Sequence, residues 1–76
     1  MKYIVTTSLD NVPAAILFAE SLTHKDVAGN LKVSSAGFCN ALGDVWGHSE
    51  SLGIKSNPKD SKHVVLALTM TLNPKP

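Results

Sequence analysis

The chain has 76 residues and a mass of 8.1 kDa, which is room for one domain over 1–76 and no second. Hydrophobic residues at 43% supply a core, charged residues at 17% argue against disorder, and aromatics at 5% leave aliphatic residues and Ala to build the interior. The net charge is +1 and all seven basic residues are Lys, which removes bidentate guanidinium clamps on phosphate or carboxylate and argues against a nucleic-acid surface.

Residues 2–7 (Lys-Tyr-Ile-Val-Thr-Thr) are β-branched and aromatic without a breaker and predict a short strand. Ser8-Leu9-Asp10-Asn11 predicts a turn in which Asp10 or Asn11 caps a helix, with Pro13 in its first turn. That helix is expected over Val12–Thr23, where Val12, Ile16, Ala19 and Leu22 form one apolar stripe broadened by Ala15, Leu17 and Phe18. After Ala28-Gly29-Asn30, Leu31–Ser35 predicts a second strand. Gly37, Asn40 and Gly43 mark a loop, and Asp44 caps a weak second helix over Val45–Leu52, stopped by Gly53. Residues 55–62 read as a polar loop.

His63–Met70 is the strongest strand signal, a near-continuous apolar run of the kind buried on both faces of a parallel sheet. Asn73–Pro76 is a breaker-rich tail. The order strand, helix, strand, helix, strand predicts an α/β fold: a three-stranded parallel sheet of order 2-1-3 with helices on both faces.

Val33-Ser34-Ser35-Ala36-Gly37 is similar to the segment after the second strand of low-molecular-weight protein tyrosine phosphatases. Ser51-Leu52-Gly53-Ile54 resembles a helix end of that family, and Val64–Thr69 resembles one of its strands. Tyr3-Ile4-Val5 and Pro13-Ala14-Ala15 resemble its first strand and helix start. The resemblance implies a phosphatase-like, flavodoxin-like half, and it fails at the chemistry. The family's phosphate loop carries a cysteine and an arginine, whereas Val5–Pro13 contains neither. Phosphoryl transfer without a thiolate or a cation on the equatorial oxygens is not supported. The resemblance therefore implies a catalytically inactive domain acting as a binding or regulatory module. The second reading is a small ligand- or anion-binding domain, or an enzyme with different chemistry in the strand-end cleft.

In that cleft Thr6, Thr7, Ser8, Asp10 and Asn11 are the candidate ligand residues, because ligands collect where parallel strands end and helices begin. The bland alternative is a turn that caps itself. Cys39 and His48, nine positions apart, could form a nucleophile–base pair, but a half-buried loop thiol is the more economical reading. A single Cys also excludes an internal disulfide and a Cys-rich zinc site. His24 is expected to face solvent at a helix end, and His63 to open an edge strand. Lys55, Lys59 and Lys62 read as a solvated loop, and Trp46 with Phe38 as satellite core.

Neither a metal nor a cofactor is called for. The apolar start, Met1–Ser8, is too short for a signal peptide, and no run approaches the roughly 18 apolar residues of a membrane span. The expectation is a cytoplasmic chain without a membrane or nucleic-acid partner. In the 2-1-3 sheet the uncharged edge strand 63–70 would be bare. A homodimer, or capture of a protein partner, is expected there through Val64, Val65, Leu66, Leu68 and Met70.

Overall fold

The computed structural model describes residues 1–8 and 10–72, the last two by backbone alone. The tail at 73–76 and Leu9 of the first turn lie outside the described residues. In chain order the elements are β1 (Lys2–Thr6), β2 (Ala14–Phe18), α1 (His24–Ala28), β3 (Val33–Cys39), β4 (Val45–Trp46), β5 (His48–Ser49), β6 (Ile54–Lys55) and α2 (Asp60–Leu72).

Among the described residues the first four strands form a sheet of order β2-β1-β3-β4, and β5 pairs with β6 in a separate ribbon. Every pairing is antiparallel. This overturns the parallel 2-1-3 sheet, and with it the phosphatase-like fold. The physical reason lies in the first connection. Seven positions, 7–13, separate β1 from β2, whereas a parallel crossover takes a dozen or more residues. Asp10 (φ 52°) and Asn11 (φ 59°) both adopt left-handed backbone, which Asp and Asn tolerate, and the chain doubles back as a hairpin. Neither residue caps a helix. The apolar stretch 12–23 becomes β2 and a turn.

The second expected helix, 45–52, is also absent. Gly47 at φ 76° interrupts it and separates β4 from β5. The expected strand 63–70 is instead the body of α2. Val64, Val65, Leu66, Leu68 and Met70 therefore present a helix surface, not a bare sheet edge, and the strand-pairing dimer through 63–70 falls away. Val64 is fully buried, Leu68 packs beside it, and Val65, Leu66 and Met70 are exposed.

Side chains alternate across the sheet as the pleat requires. Tyr3, Val5 and Cys39 point to one face, where Val64 and Leu68 of α2 close a core with Ala15 and Leu17 of β2. Ile4 and Ala36 point to the other, where Ala28 of α1 completes a second core with Ile16, Phe18, Val27, Val33, Leu52 and Ile54. A register shift between Val5 and Thr6 keeps Val33 opposite Thr6, so Val33 still reaches the second core. Because both faces are covered, the strands carry continuous apolar runs instead of alternation, which is the pattern that imitated a helix at 12–23.

The helix α2 is tied to the sheet through Asp60. Its carboxylate accepts from Tyr3 Oη (2.5 Å), Ser35 Oγ (2.8 Å) and the Asn57 amide (2.9 Å). Asn57 Oδ1 in turn accepts from the Lys59 amide, so side chains at both ends of Asn57-Pro58-Lys59-Asp60 bind backbone amides of this turn just ahead of the apolar run. No helix among the described residues is long and apolar enough to cross a membrane.

Candidate functional site

A groove of about 620 Å³ opens on the α1 side of the sheet, near the start of β1. Lys2, Thr23, His24, Phe38, Trp46, Gly47, His48, Glu50 and Ser51 line it. Four pieces of chain bring them together. Lys2 and Phe38 are directly opposed in the β1–β3 pairing, Phe38 opposes Trp46 in β3–β4, and the short helix α1 and the β5–β6 ribbon form the far wall.

Rings make up most of the floor. Phe38 and Trp46 stack with centroids 6.5 Å apart and planes 17° from parallel. His24 meets Phe38 edge-on at 5.9 Å and Phe18 edge-on at 5.4 Å. Such offset and edge-to-face pairs are the favoured aromatic geometries. The His24 ring is held in place because its Nε2 lies 2.8 Å from the Gly37 carbonyl. A carbonyl only accepts, so Nε2 carries a proton there. Trp46 nonetheless keeps 49% of its surface exposed.

Several groups shape the rim. Thr23 and Asp26 form a reciprocal capping box, with Asp26 N to Thr23 Oγ1 at 3.0 Å and Thr23 N to Asp26 Oδ2 at 3.3 Å. The hydrogen bonds from Thr23 hold the Asp26 carboxyl below the usual carboxylate range. Lys2 Nζ donates to the Leu22 carbonyl at 2.8 Å. Ser51 Oγ accepts from the Lys25 amide at 3.1 Å and tethers the ribbon to α1. Gly47 leaves the floor open, since a Cβ there would stand 3.0 Å from the Phe38 ring.

The residues expected to bind a ligand lie elsewhere. Thr6, Thr7, Ser8, Asp10 and Asn11 belong to the β1–β2 hairpin, at the opposite end of β1 from the groove. Thr6 is buried and donates to Ser8 Oγ at 2.9 Å, and Ser8 Oγ accepts from the Lys32 amide at 2.8 Å. Those hydroxyls bond within the turn and to the chain just ahead of β3.

Cys39 and His48 are not brought together. Cys39 is 1% exposed in the core under α2, where burial pushes its thiol pKa up, while His48 lines the groove across the sheet. His24 is buried at the start of α1 instead of facing solvent at a helix end. His63 is half-buried early in α2, and Lys55, Lys59 and Lys62 are exposed. Among the described residues no Ser, Thr or Cys side chain is hydrogen-bonded to a histidine, and no group of three metal-ligating side chains forms.

Sequence reasoning missed the groove because its parts come from four separated segments. Nothing local in Phe38 and Trp46 distinguishes an exposed ring stack from satellite core. No family model, curated protein or solved structure matches this chain.

Proposed function

We propose that the chain is a non-catalytic binding module whose groove seats a small ligand with a flat unsaturated ring. The observation that carries this is the Phe38–Trp46 stack, half of whose indole surface is left exposed in a formed groove. An exposed aromatic face attracts another π system by offset stacking and apolar burial. Lys2, His48 and Glu50 on the rim offer polar groups of both signs to orient the rest of the ligand. Binding, not turnover, is what the arrangement supports, since no hydroxyl or thiol in the groove is hydrogen-bonded to a base. A cytoplasmic setting suits the lone thiol of Cys39, and self-association belongs to the same reading of the chain as a module that works through its partners.

The chain has one Trp, so indole fluorescence reports on this groove alone. Titration with adenosine, uridine and benzoate as probe rings is the test. Saturable quenching by at least one probe, abolished in Phe38→Ala while the fold is retained by circular dichroism, supports the reading. The absence of saturable change with all three overturns it.

A further inference from the structure

β2 is an edge strand, paired with β1 on one side only. Edges in natural sheets are guarded by charge, proline or bulges. Within Ala14–Phe18 there is none of these, Pro13 stands one position ahead of the strand and outside its pairing, and the whole stretch Val12–Ala19 is uncharged. Above the same edge, α2 exposes Leu66 (59%) and Met70 (70%), and the β1–β2 loop exposes Val12 (59%). These residues are continuous: a shallow apolar seam of about 200 Å³ runs between β2 and α2, with Leu66, Met70 and Val12 in its walls.

We propose that this edge pairs with the β2 edge of a second copy of the chain, antiparallel about a two-fold axis at Ile16. Two features favour a second copy over an unrelated partner. A charged strand is repelled by its own copy because both carry the same net charge, and this one carries none. Pairing about Ile16 also sets small against large, Ala14 opposite Phe18 and Ala15 opposite Leu17, with Ile16 meeting Ile16. The sheet then becomes eight-stranded, and Leu66 and Met70 of the two α2 helices close over the junction. On the other side of the sheet the groove stays accessible, so the dimer stands whether or not a ring ligand binds.

The test is sedimentation velocity over a micromolar dilution series, with hydrogen exchange of the β2 amides alongside. The expected result is a dimer whose outward-facing β2 amides are protected. Leu66→Lys combined with Met70→Lys, both at exposed positions, should weaken self-association by about tenfold or more without unfolding the chain. A monomer throughout the series overturns the proposal. So does a dimer in which the β2 amides exchange freely, a result readable on the unmodified chain even if the double variant folds poorly.

Discussion

Tyr3 and Asp60, 57 positions apart in the chain, meet in a buried 2.5 Å hydrogen bond that joins the central strand to the first turn of α2. Asp60 also satisfies Ser35 and the Asn57 amide, so one carboxylate holds three donors from three segments. Asp60→Ala leaves all three without a protein acceptor. The expected cost is about 3 kcal/mol, against about 2 kcal/mol for Tyr3→Phe, in which Ser35 and Asn57 still bind the carboxylate. Urea melts of the two variants check the order. An Asp60→Ala chain as stable as the parent would show that α2 is held by apolar contact alone.

The same pair sets an alkaline limit. Burial first, and then the Asp60 carboxylate, hold the Tyr3 phenol far above its ordinary value. Burial likewise raises the Cys39 thiol. Both groups are acids whose ionised form the fold disfavours. Their contribution is therefore complete below the unfolded values, about 8.5 for Cys and about 10 for Tyr, and is lost as pH rises beyond them. The single Tyr makes tyrosinate absorbance a clean reporter. Its titration should coincide with alkaline unfolding, and a phenol that ionises near pH 10 in the folded chain would contradict the buried bond.

Gly37 carries a steric prediction. A Cβ there would lie 2.5 Å from the Trp46 carbonyl and 2.9 Å from Ser56 Cβ. Gly37→Ala must push β4 away from β3, at about 2 kcal/mol, within the usual range for overpacking. Gly37 also supplies the carbonyl that fixes His24. The substitution should accordingly shift the Trp46 fluorescence as well as lower the melting temperature. A loss of stability with unchanged fluorescence would separate the core from the groove.

At the rim, Thr23→Ala removes the side-chain half of the capping box on α1, at about 1 kcal/mol. The Asp26 carboxyl then loses the larger of the two Thr23 bonds that hold its pKa down, keeps the one from the backbone amide at position 23, and should move part of the way back toward the ordinary carboxylate range, a change followed by NMR titration. The sign is that of a depressed acid: the stabilisation is present above the unfolded value and disappears as pH falls through the folded one. The variant should show a shallower acid-side decline than the parent, because that component is reduced to its backbone part.

Composition and local chemistry by themselves determined a largely aliphatic interior, the strand at Lys2–Thr6, and the lack of any arginine-based or internal-disulfide chemistry. They also held one signal that periodicity obscured. Asn57-Pro58-Lys59-Asp60 pairs a residue able to cap with a proline suited to a helix start and a carboxylate three residues on, and Val64, Ala67 and Leu68 follow at helical spacing, so a helix through 63–70 was legible there, and α2 begins at Asp60. Tertiary structure decided the rest. Ala14–Phe18 is a strand because β1 lies beside it and both faces of the sheet are covered, a condition that erases the alternation by which a strand is recognised. The groove exists only because pairing sets Phe38 between Lys2 and Trp46 while α1 folds His24 against it. Contacts between segments that distant leave no local pattern, since the residues that meet are chosen by the register of the sheet and not by their spacing along the chain.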